Sequence, residues 1–348
     1  MSAGITAGSP KTPGIVARVL IALAASATVF LCAARLWGPE HSWVLAPLQY
    51  LPYPVLLAPA LAAVVLSLRC AARWRALAGA SLALTLTALM GLELNWPGAQ
   101  GGHVRVMTYN VKSYLGIARP GWALLLAQEI ATHDPDVLVL QDANDLRRLA
   151  PATMNAMMGG RAIYAFGQYV IASRFPLRDC GEGEIPIRDA PHTFVRCEVE
   201  APGSRIDVVT AHFLTPRDGL DDLRRGSLAA GSRAWKQNVA DRMEQAHHLA
   251  AGIAVRGRPT IVAGDFNAPP GSLVLRALEA TGMRDAFDVA GLGYGYTYGH
   301  SLRPGISFLR LDHILVSEEL HVAGCFVGGK AASPHRPVIA DISLRRHS

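Results

Sequence analysis

The sequence predicts a layered α/β domain preceded by three membrane-spanning helices. Three observations carry this. Apolar residues make up 51% of the 348-residue chain and mean hydropathy is +0.23, high for a water-soluble protein, with the excess in the first 95 residues. From Val104 onward, short apolar runs and helical patterns follow one another in the strand-helix-strand order of layered α/β proteins. Finally, several of those runs end in polar residues: VMTYN, DVLVLQD, VVTAHF, AGDFN, RLDHILVS and SPHRPV.

Residues 1–14 are small and polar with Pro10 and Pro13, and read as a disordered tail. Residues 15–94 read as the anchor. Ile15 to Trp37 is almost wholly apolar, with Arg18 and Arg35 near enough to its ends to snorkel. A second stretch, Trp43 to Leu68, is interrupted by Pro47, Pro52, Pro54 and Pro59. Its first half, with Trp43, Tyr50 and Tyr53, suits the headgroup layer. The third runs from Ala76 to Leu94. A cleavable signal peptide is the other reading of the first segment, but two more apolar segments follow it with no substantial polar domain between, which favours a retained anchor.

Charge orients the anchor. Lys11 and Arg18 precede or open the first segment, and Arg69, Arg73 and Arg75 crowd the second link, whereas the first link carries Glu40 and His41. By the positive-inside rule the amino terminus and second link are cytoplasmic, so three crossings place the carboxyl-terminal domain outside. Residues 1–95 hold six basic and two acidic side chains, which is +4 of the total +6 and leaves the domain +2. The pI of about 9.2 is therefore poor evidence for a nucleic-acid surface.

Asn95 to Gly102, with Pro97 and three glycines, reads as a flexible linker, and residues 103–348 as the domain. Strands are predicted at 104–109, 137–140, 161–166, 168–172, 194–199, 205–210, 260–263, 311–316, 321–327 and 338–344. Helices are predicted at 122–132, 237–255 and 272–280, and residues 214–234, rich in Gly, Asp and Arg, read as a long loop. Cys180, Cys197 and Cys325 allow at most one internal disulfide. Cys180 with Cys197 is conceivable in an oxidising compartment, and buried free thiols are the alternative.

The domain is organised around Gly264-Asp265-Phe266-Asn267. Gly264 permits a sharp turn at the strand end, and in an extended segment Asp265 and Asn267, two apart, point the same way. A carboxylate and a carboxamide would then converge on one point, unless the stretch is an ordinary turn.

With its ordered companions, this motif resembles the endonuclease/exonuclease/phosphatase superfamily, the deoxyribonuclease I-like proteins, over residues 104–348. The resemblance implies a four-layer α/β/β/α sandwich and metal-dependent hydrolysis of phosphate esters or anhydrides. It does not fix the substrate. It implies Asn110, Asp142 and Asp265 as metal ligands, with Asp142 standing where most members have Glu. A helix N-cap is the other role for Asp142. It implies His212 as a phosphate contact, Asp265 as a residue that orients or deprotonates water, and Asn267 as a phosphoryl-oxygen donor. Asp312 and His335 match the terminal carboxylate-imidazole dyad, with His335 as general base or stabilising cation. Thr297 and Tyr298 match an aromatic-containing segment lining the pocket. Mg²⁺ is the expected ion.

One departure stands out. Most relatives carry Asp before the last His, and here the triplet is Ser333-Pro334-His335. With Asp142 shortened, this weakens the expected ion site or favours Mn²⁺ or Ca²⁺. Outside the motifs, His192, His247, His248, His300, His313 and His321 read as surface or packing residues, and Arg217, Arg224, Arg225 and Arg233 as a solvated loop face, with a grip on phosphate as their other role. The expected partners are the lipid bilayer and a phosphorylated, lipid-linked substrate, with nucleic acid disfavoured and no protein partner. The arrangement resembles membrane-anchored members linked to glycopeptide resistance, which act on undecaprenyl-type carriers. An extracytoplasmic nuclease and a degenerate, non-catalytic phosphate-ligand-binding domain are the rival readings.

Overall fold

The computed structural model describes residues 14–96, 104–187, 192–217, 221, 225–254, 257–299 and 305–345. The tail at 1–13 and the linker from residue 97 lie outside the described residues, as do His300 and Arg224. The chain forms two compact units: Met1–Trp37 with Leu51–Leu92, and Gly38–Tyr50 with Glu93–Ser348.

The first unit holds α1 (Ile15–Trp37), α2 (Leu57–Ser67) and α3 (Ala72–Leu84), the last prolonged by a π turn at Thr85–Leu89. Its interior is built mostly of small residues, with Ala25, Ala60, Ala63, Ser67, Ala78 and Ser81 buried, while Ile15, Val19, Leu23, Phe30 and Val65 are exposed. Small residues inside and large apolar ones outside is the pattern of helices that pack closely in lipid. Thr28 Oγ1 and Ser81 Oγ share a hydrogen bond at 3.0 Å, and Arg35 Nη1 donates to the Leu89 carbonyl at 2.7 Å.

Among the described residues, α1 is the one helix long and apolar enough to cross a membrane, at 23 residues. The second and third expected spans do not reach that length and apolarity among the described residues. Pro52 and Pro54 delay the second helix to an apolar span of Tyr53–Ser67, and α3 opens on Arg73 and Arg75 and has 13 residues.

The second unit contains two six-stranded mixed sheets. The first uses β2 (Val104–Asn110), β3 (Val137–Gln141), β4 (Ala162–Phe166), β5 (Tyr169–Ser173), β13 (Leu320–Val327) and β14 (Val338–Leu344), in the order β13-β14-β2-β3-β5-β4. The other uses β6 (Leu177–Ile185), β7 (His192–Ala201), β8 (Ser204–His212), β9 (Thr260–Asp265), β10 (Arg284–Asp285) and β12 (Asp312–Val316), in the order β10-β12-β9-β8-β7-β6. Pairs β2/β3 and β8/β9 are parallel and the rest antiparallel. A short ribbon pairs β1 (Glu93–Leu94) with β11 (Leu292–Gly293), and Asn95 donates backbone and side-chain N–H groups to Gly291 and Asp288. The expected linker is thus tied to the domain at its first residue.

Strand alternation builds the layers. Val106, Val139 and Ile171 face Val195, Val208, Ile261 and Ile314 in a core between the sheets. The intervening Met107, Leu138 and Leu140 face α5 (Trp122–His133) and α6 (Pro151–Met158), which follow the short α4 (Ser113–Gly116). On the opposite outer face, Val209, Val262 and Leu315 pack on α7 (Leu228–Ala254) and α8 (Leu273–Glu279), and α9 (Ala286–Ala290) adds Phe287 to the central core. The order is α/β/β/α.

Two elements depart from the sequence expectation. Helix α7 begins at Leu228, shortening the loop expected at 214–234, because its first turns are held by Trp235, buried with Ala46, Tyr50, Leu309 and Leu311. Strand β6, LRDCGEGEI, is an edge strand whose charges hide it from pattern reading. It is bonded to β7 by the Cys180–Cys197 disulfide, while Cys325 is a buried free thiol.

Candidate active site

Strand register brings the polar residues together. In the second sheet His212, the last residue of β8, lies beside Asp265, the last of β9, and Asp265 is paired with Asp312, the first of β12. In the first sheet Asn110 closes β2 opposite Gln141, and Asp142 follows. Gln141, fully buried, donates Nε2 to Thr108 Oγ1 and Thr210 Oγ1, both at 3.0 Å, so one amide ties the two sheets beneath the site.

Asp265 is the hub. Its Oδ2 accepts from Asn110 Nδ2 at 2.8 Å and has His212 Nε2 at 3.5 Å and His335 Nε2 at 3.7 Å, while Oδ1 accepts from Asn267 N at 3.0 Å. His335 Nδ1 pairs with Asp312 Oδ2 at 2.8 Å. Its ring lies 4.5 Å from Tyr298, centroid to centroid, and Thr297 Oγ1 accepts from the Leu311 and Asp312 amides. His212 Nδ1 pairs with Gln168 Oε1 at 2.7 Å, and its amide donates to Tyr169 Oη at 3.0 Å. All seven residues expected from sequence therefore meet in one region: Asn110, Asp142, His212, Asp265, Asn267, Asp312 and His335.

Two local expectations change. Gly264 is not a turn residue. It lies within β9, where a Cβ would come 2.0 Å from the Ala211 carbonyl oxygen, so the close approach to β8 requires glycine. Nor do Asp265 and Asn267 converge as neighbours in an extended strand. The strand stops at Asp265, Asn267 takes a left-handed backbone with φ 49°, and its Nδ2 donates to the Phe213 carbonyl at 2.9 Å. The pair is joined through the backbone instead, an Asx turn.

Asp142 is no helix cap. Its Oδ2 accepts from Lys112 Nζ at 2.9 Å, and its Oδ1 is 3.6 Å from His212 Nδ1. Both Lys112 (φ 44°) and Asp142 (φ 51°) have left-handed backbones, strained conformations that cluster at functional sites. Burial would raise the Asp142 carboxyl, but His212 and Lys112 outweigh it and hold it below its ordinary value. Asp265 is likewise depressed: burial opposes, and His335, His212 and Lys112 prevail. Burial lowers the Lys112 ammonium, and Asp142 and Asp265 more than restore it, so it lies above its ordinary range. The sequence reading passed over Lys112, Gln168 and Tyr169. The NVK triplet that puts a cation two residues after Asn110 was the available signal for Lys112.

The donors fit a hard divalent cation. Ligand atoms of Asp265, Asp312 and His335 lie within 4.8 Å of one another, and Asp312 Oδ1 is buried without a hydrogen-bond partner. Carboxylate oxygens of this kind suit such an ion. Asp265 belongs to the ligand set expected from sequence, whereas Asp142 is neutralised by Lys112. Pro334 contributes no donor, and beside it Ser333 Oγ donates to the Asn110 carbonyl at 2.7 Å.

Asp142, His212, Asn267 and His335 line a cleft of about 1220 Å³. Lys112, Arg119, Arg217 and Lys330 supply cationic lining, and Tyr50, Tyr114, Leu115, Leu214 and Tyr298 supply apolar or aromatic lining. His192 and Arg217, read from sequence as surface residues, are part of this wall.

Three solved structures show the same fold. An endonuclease/exonuclease/phosphatase family protein from Bacteroides thetaiotaomicron matches with 17% identity and a TM-score of 0.53, over 71% of this chain and 100% of its own. A mannosyl-6-phosphatase from Bacteroides thetaiotaomicron VPI-5482 matches with 17% identity and a TM-score of 0.51, over 69% and 100%. Truncated Caenorhabditis elegans TDP2 matches with 16% identity and a TM-score of 0.52, over 70% and 98%. No curated protein matches the chain in sequence. Residues 107–335, well over half of the chain and spanning every strand that contributes to the site, match the Endonuclease/Exonuclease/phosphatase family. The chain belongs to that family, whose members are phosphoesterase and nuclease hydrolases.

Proposed function

We propose that this chain is a membrane-anchored phosphoesterase that acts outside the cytoplasmic membrane on the phosphate or pyrophosphate of a lipid-linked molecule. The single observation that carries the hydrolase reading is the meeting of the His212 and His335 imidazoles at Asp265 Oδ2, each ring held from its other nitrogen by Gln168 or Asp312.

In this reading Asp312 accepts the Nδ1 proton of His335 and leaves Nε2 to take a proton from the attacking water. Asp265, kept ionised, orients that water. His212 gives its Nδ1–H to Gln168 Oε1, so it contacts a phosphoryl oxygen through Nε2–H as an imidazolium. Lys112 adds positive charge at the mouth of the site, where charge develops on the phosphoryl group. Asp265, Asp312 and the Asn110 amide are the residues to hold a divalent ion, whose contribution is charge neutralisation at phosphate.

Support for the membrane location is independent of the site. Helix α1 has the length and apolarity of a span, and the Cys180–Cys197 disulfide suits an oxidising compartment. Gly38–Tyr50, which directly follows α1, packs with the catalytic unit. Segments in contact share one side of a bilayer, so with a cytoplasmic amino terminus a single crossing by α1 puts both outside. Residues 51–92 then cross twice, with Ala71 in the cytoplasmic link between α2 and α3. The mixed cationic and aromatic cleft suits an anionic headgroup carrying an apolar tail.

A second reading has two observations behind it. Lys112 already neutralises Asp142, and Pro334 replaces a carboxylate, as in a domain that binds phosphate without turning it over. The deciding experiment offers the detergent-solubilised full chain a polyprenyl pyrophosphate, a phospholipid and duplex DNA, each with Mg²⁺ or Mn²⁺. Turnover of the polyprenyl compound is expected. Turnover of DNA alone makes the protein a nuclease, and phosphate binding without any turnover favours the second reading.

A further inference from the structure

We infer that Tyr50, which lies outside the family-matched segment and between two apolar helices, is a positioning residue of the active site. It works through the carbonyl of Asn267. Tyr50 Oη donates to that oxygen at 2.8 Å, and Arg242 Nη1 donates to the same oxygen at 2.9 Å and to Tyr50 Oη at 2.7 Å. Both side chains are buried, and Arg242 also reaches Asn238 Oδ1 through Nε at 3.0 Å.

Asn267 needs this grip. Asn tolerates a left-handed backbone better than other non-glycine residues, and at φ 49° Asn267 is held there by hydrogen bonds to its amide, side chain and carbonyl. Here the amide donates to Asp265, the side chain donates to Phe213, and the carbonyl receives two donors. Loosening the carbonyl lets the backbone relax, and the Asx turn that orients Asp265 Oδ1 goes with it. Tyr50 is held in turn by its edge-on contact with Trp235, 5.8 Å between centroids, in the cluster with Ala46, Leu309 and Leu311. Upstream, the Glu40 carboxylate accepts from Leu273 N at 3.2 Å. A Cβ on Gly38, at φ 95°, would come 2.6 Å from Leu273 Cδ2. Thus Gly38–Tyr50 is built into the catalytic unit at several points, and Tyr50 also lines the cleft. Burial, opposed by the Arg242 charge, pushes the Tyr50 phenol up to about 12, so it remains a donor throughout the neutral range.

The kinetic part of this inference rests on the phosphoesterase reading, so the test pairs activity with a measurement that needs none. The solubilised full chain, its Tyr50→Phe variant and a Trp235→Phe variant are compared by hydrolysis of bis(4-nitrophenyl) phosphate with Mg²⁺ and by amide exchange of the peptide covering residues 264–270. Tyr50→Phe keeps the ring and removes the donor. It is expected to speed exchange in that peptide about fivefold, corresponding to one lost hydrogen bond, and to lower kcat about as much with KM unchanged. Trp235→Phe, which weakens the edge-on contact holding Tyr50, is expected to lower Tm and to shift exchange and kcat in the same direction by a smaller factor. Unchanged exchange in Tyr50→Phe overturns the inference whether or not the wild type hydrolyses the probe. Changed exchange with a wild type that does not turn over this diester sustains the positioning role, and the phosphoesterase reading is then judged on the polyprenyl pyrophosphate alone.

Discussion

Asp285 lies behind the site rather than in it. Its carboxylate pairs with His313 Nδ1 at 2.7 Å, and His313 Nε2 meets the Ala268 carbonyl at 2.9 Å, one residue beyond Asn267. Burial would raise this carboxyl, but Arg310 and His313 outweigh it and hold it well below the carboxylate range. A carboxyl depressed in the folded state contributes stability above its unfolded pKa and loses it as pH falls toward the folded value. Asp285→Asn is therefore expected to cost about 3 kcal/mol at neutral pH, leaving Arg310 and His313 without their shared partner. The deficit should narrow below about pH 4. Urea denaturation at several pH values checks this, and a constant deficit would mean that the ionised form has no special role. His313 was set aside from sequence as a packing histidine. It does pack, but its two ring nitrogens connect a buried acid to the loop of the site, a link that only tertiary structure displays.

At the scale of the element, strand β9 sets the geometry. Its apolar run, its position and its terminal Asp265 were legible in the sequence because a fully buried strand leaves a continuous hydrophobic signature. The reason for Gly264 was not, because it depends on the carbonyl of a strand more than fifty residues away. Gly264→Ala is expected to cost about 3 kcal/mol through that overlap and to displace His212 and Asp265 together. Thermal melting with and without Mg²⁺ tests it, and a variant with wild-type Tm would show that the strands move apart freely. Edge strand β6 and the first turns of α7 escaped for a related reason. In β6 the residues are polar, whereas the first turns of α7 are ordered by a partner far along the chain, Tyr50 through Trp235. The four-layer order followed from the resemblance. Strand order and register, which place Asn110, His212, Asp265 and Asp312 side by side, came from the structure.

At the scale of the whole molecule, the sequence separated an apolar third from a mixed two thirds, and two compact units do form. The boundary is less simple than a cut near residue 95, since Gly38–Tyr50 crosses it to complete the catalytic unit. Topology can be tested by single cysteines at Ser42 and at Ala71 in a chain whose own free cysteines are replaced. In intact cells a membrane-impermeant maleimide is expected to label position 42 and not 71. Labelling at 71 alone would invert the orientation. The central claim is that residues scattered from Asn110 to His335 form one hydrolytic centre. It is tested most directly by phosphate release from the polyprenyl pyrophosphate by wild type and His335→Ala, both in detergent at equal fold stability. A loss of at least about 100-fold is predicted for the variant, and equal rates would contradict the account.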